Sequence, residues 1–281
     1  SGRQAKTYSH VARGSSLAQP SRMTKAQPVY EGDSLLLTRR IRNQTFLLRP
    51  SKKLNNLIRY VVAVKSAELG VPIHAICVMS NHWHKCITDP LAHVVDFQRD
   101  CHTFIARALN AMHGEFESIW SSSPPSRVTC ADPLTLLQKI AYTMANPVEA
   151  GLVRHGKSWP GVRHAWPHPP ITIARPKEFF RGEADGGEWP EVATLTFTRP
   201  PGFENMSHEE LAEKVAHAIK AAEENSRSKR TDKGQSFLGR KKVCEQNRHH
   251  RPSGRAKRFQ LSPKIACRDA ALRIERLRAR K

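Results

Sequence analysis

Residues Pro72 to Met79 and His82 to Thr88 read as two strands parted only by Ser80-Asn81, and so short a gap between strand-like runs closes as a hairpin. That hairpin commits the chain to a sheet. Its second arm carries His82-Trp83-His84, and because alternate residues of a strand project from one face, both imidazoles share a side. They stand roughly 6.5 to 7 Å apart along the chain. Neutral imidazole is a common ligand for divalent metals, and two can converge on one ion if a third group arrives from elsewhere. A strand histidine more often packs or hydrogen-bonds than binds metal. The pair takes its meaning from its company.

The second informative cluster begins about 60 residues later, where Gln138 to Val153 read as the end of a helix. Asp132-Pro133 supplies an N-cap and a first-turn proline, and Pro147 predicts a stop at Asn146. At 100° per residue Leu136, Leu137, Ile140 and Met144 form one apolar stripe. Thr135, Gln138, Lys139, Tyr142 and Asn146 lie on roughly the opposite face. A helical tyrosine is ordinarily a half-buried packing residue. Tyr142, with a carboxamide one turn after it and a lysine one turn before, is better suited to a site. Asn146 lies four residues further on and reaches the same side.

Together these residues resemble the single-tyrosine HUH transposases, most closely the REP-associated tyrosine transposases. In that family a hairpin carries Met-Pro-Asn-His-apolar-His, and a later helix carries Tyr followed by Asn-Pro-Val-x-x-Gly-x-Val. Met79-Ser80-Asn81-His82-Trp83-His84 matches the first, and Tyr142 through Asn146-Pro147-Val148 to Gly151-Leu152-Val153 the second. Asn110, His113-Gly114 and Trp120 between them also look like the family's helix and following strand. The resemblance covers about residues 31 to 165. Ser80 stands where the family usually has Pro, Glu149 where a basic residue is common, and Ser121-Ser122-Ser123 where a Gln/Arg-rich segment is usual. The first-strand signature is present only loosely, as Leu36-Leu37-Thr38-Arg39-Arg40.

The resemblance implies a metal-dependent single-tyrosine DNA endonuclease and strand transferase. Tyr142 would attack a DNA phosphorus and form a covalent phosphotyrosine. His82 and His84, with Asn146 as third ligand by resemblance, would hold Mg²⁺ or Mn²⁺ and polarise the scissile phosphate. Lys139, on the tyrosine face, is a candidate for local positive charge. A zinc site using Cys86 with His82 and His84 ranks below this, because a fourth ligand at finger-like spacing is missing.

Charge points the same way without naming a partner. Lys plus Arg number 46 against 25 Asp plus Glu, a net of +21, and that field favours polyanions. Residues 226–281 hold 19 Lys or Arg against 4 Asp or Glu, most of the excess. Beside Lys139, candidate DNA contacts are Arg39, Arg40, Arg99, Arg107, Lys241, Lys242, Arg255, Lys257 and Arg258. Aromatics are only 7%, so Trp83, Trp120, Trp159 and Trp166 are read as packing residues before stacking ones. The expected partner is single-stranded or hairpin DNA, with monomer and homodimer both open. The six cysteines lack paired spacing, and neither a signal-peptide segment nor 18 consecutive apolar residues occurs. The expectation is a cytoplasmic, nucleoid-associated protein of a bacterium, with no membrane partner.

The pattern of strands and helices predicts an α+β class: an antiparallel sheet with helices on one face, a ferredoxin- or RRM-like core, and a basic, partly disordered C-terminal extension. Strands are expected at Ser34 to Asn43 and near Val128, and helices from the Ser51 cap to Gly70 and from Ala92 to His113. Four regions follow: a basic arm over 1–28, a catalytic domain over 29–165, a Pro/Gly-rich connector over 166–225, and a basic tail over 226–281. The connector holds a strand at Val192 to Thr198 and a helix capped by Ser207 and Glu210 that ends about Asn225. Residues 226–260 are expected to be disordered when alone, before a last helix at Ser262-Pro263. The rival reading is a domesticated, catalytically silent nucleic-acid-binding protein that keeps this fold. The Ser-rich segment and the unmatched C-terminal region favour it; the four residues His82, His84, Tyr142 and Asn146 together favour the enzyme.

Overall fold

The computed structural model describes residues 28–177, 179 and 189–252. Arg255, Lys257, Arg258, the helix expected at Ser262-Pro263 and nearly all of the N-terminal arm lie outside the described residues. The strands and α-helices of the described residues follow in order: β1 (Asp33–Arg40), α1 (Lys52–Glu68), β2 (Ile73–Val78), β3 (His82–Asp89), α2 (Val94–His113), β4 (Ser126–Cys130), α3 (Pro133–Glu149), β5 (Arg163–Ala165), β6 (Ile171–Ala174), β7 (Val192–Leu195), α4 (His208–Thr231) and α5 (Arg240–Glu245). Five strands form one antiparallel sheet in the order β4-β1-β3-β2-β5. The run β1-α1-β2-β3-α2-β4 within it is the split βαβ arrangement of ferredoxin-like folds. β6 and β7 make a separate two-stranded ribbon.

Local chemistry explains the elements near the site. The Ser51 hydroxyl accepts the Leu54 amide and starts α1, while Asp132 accepts the Thr135 amide and starts α3 at Pro133. Ser207 and Glu210 close a reciprocal capping box on α4. The Met79 amide donates to the His82 carbonyl across Ser80-Asn81, which closes the β2–β3 hairpin in two residues. Two outside strands of backbone hold its tip: the Ile41 amide donates to the Asn81 carbonyl and the Leu48 amide to the Ser80 carbonyl.

Both faces of the sheet are covered, which corrects the expectation of helices on one face. On one side Trp83 and Lys85 meet α2, with the Lys85 ammonium 4.0 Å from the Trp83 ring centroid and 4.3 Å from that of Phe97. α1 lies beside α2, joined where Lys65 pairs with Asp100. The other side carries His82, His84 and Cys86 and receives α3, whose Thr143 hydroxyl lies 3.4 Å from Cys86 Sγ. Leu35 and Leu37 face one layer and Leu36 the other, and all three are buried. A strand buried on both sides has no polar face to show, and three consecutive leucines are the sign of it.

Two helix ends differ from expectation. α3 continues through Pro147 to Glu149 instead of stopping at Asn146. A proline removes one N–H and crowds the preceding turn, yet the following bonds persist: the Ala150 amide donates to the Asn146 carbonyl, and the Leu152 amide to the Pro147 carbonyl. α4 runs past Asn225 to Thr231, and residues 232–252 fold back over the sheet domain. The Leu238 and Gly239 amides donate to the Gly151 and Leu152 carbonyls, Val243 is buried with Cys77, Met79, Val153 and Trp159, and the Phe46 amide donates to the Arg248 carbonyl. Order that the composition denies to this segment alone comes from docking.

Candidate active site

The hairpin register sets the first layer of the site. β1 and β3 pair so that Thr38 stands opposite His84 and Arg40 opposite His82, all four on the α3 side. The Thr38 hydroxyl lies 2.8 Å from His84 Nδ1, and Asn81 Oδ1 lies 2.7 Å from His82 Nδ1. An amide oxygen only accepts, so His82 Nδ1 carries the proton and Nε2 keeps its lone pair. The two rings meet edge to face with centroids 4.8 Å apart. Such hydrogen bonds to the far nitrogen fix the orientation of ligating histidines.

The second layer comes from α3. The Tyr142 ring meets the His84 ring edge to face, centroids 5.4 Å apart, and is half-buried instead of standing on an open polar face. Asn146, one turn later and buried, hydrogen-bonds through its side chain to both His82 and the Tyr142 hydroxyl. A single carboxamide thus joins a strand imidazole to the helical phenol. His84 Nε2 is buried without a hydrogen-bond partner, a costly arrangement for a polar atom and one that a cation would relieve.

Electrostatics follow from this burial. Burial first, then the Arg40 guanidinium, depress His82 to about 4, against which the Asn146 hydrogen bond pulls upward. Burial, His82 and Arg40 hold His84 well below its ordinary value. Both are therefore neutral near pH 7, the form in which imidazole ligates. Burial and the Glu149 carboxylate push Tyr142 up to about 12, opposed by Asn146 and Arg40. Arg40, named in the sequence only as a DNA contact, is the cation whose charge acts on all three. Lys139 instead acts on the Cys86 thiol, which burial pushes up to about 12.

Among the described residues no three His, Cys, Asp or Glu side chains converge. The donor set is two imidazoles and one carboxamide, and Cys86 is turned to Thr143, so the zinc reading finds no support here. The set fits a divalent ion that also takes oxygen from a phosphate, given neutral imidazoles, an orphaned His84 Nε2 and a central amide.

The remaining cations are scattered. Arg39, on the other face, lies over the Trp120 ring and donates to the Ser123 carbonyl. Arg99 is paired with Asp96 and Asp100 on α2, and Arg107 is exposed on the same helix, across the sheet from Tyr142. Lys241 and Lys242 are exposed on α5, which docks through Val243 on the α3 side. Trp83, Trp120, Trp159 and Trp166 are buried packing residues. Sequence reasoning missed Thr38 and Asn81 as orienting groups; period-two parity with Arg40 and adjacency to His82 were the available signals.

The helix α3 is itself held from outside. The Arg163 guanidinium donates to the Met144 carbonyl and pairs with Glu223 of α4 at 2.7 Å, both side chains largely buried. Gly151, at φ +70°, leaves room for the Arg230 guanidinium, which a β-carbon there would overlap.

No helix among the described residues is long and apolar enough to cross a membrane. No family model and no curated protein matches the sequence. Solved structures do. A REP-associated tyrosine transposase bound to a REP hairpin is similar over 65% of this chain and 97% of its own, at 18% identity and a TM-score of 0.41. A protein of Deinococcus radiodurans R1 assigned as a transposase is similar over 38% of this chain and 85% of its own, at 14% identity and a TM-score of 0.30.

Proposed function

We propose that this chain is a metal-dependent single-tyrosine nuclease and strand transferase of the HUH type, acting on single-stranded or hairpin DNA. One observation carries the reading: the His84 ring meets both the His82 ring and the Tyr142 ring edge to face, so two metal-ligand candidates and a nucleophile candidate form one contiguous cluster.

Tyr142 Oη forms a bond to phosphorus as the bond from phosphorus to one sugar oxygen breaks. The phenol proton leaves and the departing sugar oxygen takes one up, so the phosphodiester is exchanged and not hydrolysed. Rejoining is the reverse, with a sugar hydroxyl attacking phosphotyrosine. Asn146 orients the phenol, and Arg40 places positive charge where negative charge gathers on the phosphate. A divalent ion held by His82, His84 and Asn146 would polarise the non-bridging oxygens. Thr38 and Asn81 keep the two imidazoles turned inward.

The test is a nicking assay on labelled hairpin oligonucleotides with and without Mn²⁺, run on the parent and on Tyr142→Phe. The parent should release one product and retain the other covalently on protein, with peptide mass spectrometry placing the adduct on Tyr142. Tyr142→Phe should bind DNA and form no adduct. Full cleavage by that variant, or no cleavage by the parent on any hairpin, would leave the silent DNA-binding reading in its place.

A further inference from the structure

Between α3 and α4 runs a groove of about 510 Å³ with Tyr142 in its wall. Its α3 side is the stripe Gln138, Tyr142, Ala145 and Glu149, spaced at helical intervals, and its other side includes Asn225 and Lys229 of α4 and Lys233 in the turn just past its end. The small Ala145 of α3 and Ala222 of α4 both line it and occupy little of its space. The volume falls within the ~300–1,000 Å³ of ligand sites.

The chemistry of the lining is that of an anion site for an extended polymer. Three cations, Lys229, Arg230 and Lys233, meet one carboxylate, Glu149, and the carboxamides of Gln138 and Asn225 add hydrogen-bond donors. The cations differ in duty. Arg230 donates to the Ser236 carbonyl and fills the space over Gly151, so it gives the groove a fixed charge. Lys229 and Lys233 are exposed at the rim, one on the last turn of α4 and the other in the turn that follows, where long flexible ammonium groups can follow a backbone. Among the described residues no aromatic ring but that of Tyr142 lines the groove, so the lining suits sugar and phosphate more than stacked bases.

The decisive relation is that Tyr142 has two sides. One edge of the ring meets His84, and the phenol lines this groove as well. A strand whose phosphate lies between Tyr142 and the histidines has a basic channel beginning at the nucleophile.

From this placement we infer that the α3–α4 groove holds the phosphate backbone of the single strand flanking the cleaved phosphate, gripped by Lys229 and Lys233. The inference rests on the nuclease reading above. It makes α4, which lies beyond the region that carries the family resemblance, part of the substrate surface.

The test uses the full chain and fluorescent hairpins bearing a single-stranded arm on the 5′ side, the 3′ side, both or neither. Binding is measured by anisotropy across a salt series, and Mn²⁺-dependent nicking on the same substrates. Lys229→Gln/Lys233→Gln should lower the slope of log affinity against log salt by about 1.4, at roughly 0.7 per single-strand phosphate neutralised, for one arm only. On that substrate KM should rise while kcat stays. The armless hairpin should be unaffected, and Lys52→Gln, exposed at the start of α1, should leave every slope unchanged. If the parent binds and nicks armed hairpins while Lys229→Gln/Lys233→Gln keeps its slope and KM, the groove assignment is wrong and the nuclease reading stands. If the parent neither binds nor nicks any of the four, both fall. Equal weakening on the armless hairpin would mark the lysines as general charge and overturn the groove.

Discussion

Thr38 stands directly across the sheet from His84, and its hydroxyl lies 2.8 Å from the His84 Nδ1. The pairing engages Nδ1 and leaves Nε2 without a partner among the described residues, on a ring that meets Tyr142 edge to face. Thr38→Val keeps the shape and removes the hydroxyl. Metal affinity should fall about 10- to 100-fold, as for other groups that orient a ligating histidine. Mn²⁺ titration by electron paramagnetic resonance, alongside the Mn²⁺ dependence of nicking, reads this directly. An unchanged affinity would remove Thr38 from the site.

Gly151 and Arg230 should be energetically coupled. Gly151→Ala meets two penalties, a left-handed backbone conformation costing about 1–2 kcal/mol for a residue with a β-carbon and overlap with the Arg230 guanidinium. Arg230→Ala removes only the second. Urea unfolding of both single variants and the double variant should give a double loss smaller than the sum. Strict additivity would show that Arg230 moves aside freely.

Acid should weaken the fold through His74. Burial drops this residue to about 4 from 6.5, although a bond to the Thr198 carbonyl opposes the drop. The unfolded chain therefore takes up a proton between pH 6.5 and 4 that the folded chain refuses. Stability from this group is complete above pH 6.5 and is lost as pH falls toward 4. The slope is up to about 1.4 kcal/mol per pH unit. Denaturant midpoints across that window for the parent and for His74→Gln should differ in slope. Parallel curves would mean that His74 titrates normally.

The candidate site was legible in the sequence where its spacing is local. His82 and His84 are two apart on a strand, Tyr142 and Asn146 four apart on a helix, and the structure brings these four together. The cap residues Ser51, Asp132 and Ser207 were legible for the same reason. What local spacing does not carry is register and docking. Arg40 reaches the histidines because β1 pairs with β3 at one register out of several. Tyr142 is half-buried because α4, more than 60 residues later, covers the face that helical periodicity marks as polar. Pro147 sits within a helix because surrounding burial outweighs one missing hydrogen bond.

Removing residues 253–281 should reduce electrostatic binding without unfolding the domain. That segment holds ten Lys or Arg against two Asp or Glu. A chain ending at Pro252 should show a salt slope lower by about 0.7 for each phosphate it no longer neutralises, with the cleavage position unchanged. A chain ending at Asn225 is a different experiment. It takes Arg230 away from Gly151, Val243 from its cluster and the backbone partner from Phe46, and should melt at lower temperature. Equal melting temperatures for the two truncations would contradict the docking of residues 232–252.

The Arg163–Glu223 pair, with the bond from Arg163 to the Met144 carbonyl, pins the tyrosine helix at mid-length to both the sheet and α4. A nucleophile mounted on a hinge could carry a captured strand end from one partner to another. Here the mounting is a clamped rod, so on the proposed mechanism a strand end joined to Tyr142 would stay where it was cut. Choice of the next partner would then belong to the DNA: whichever free sugar hydroxyl could be threaded back to the same spot would be the one joined.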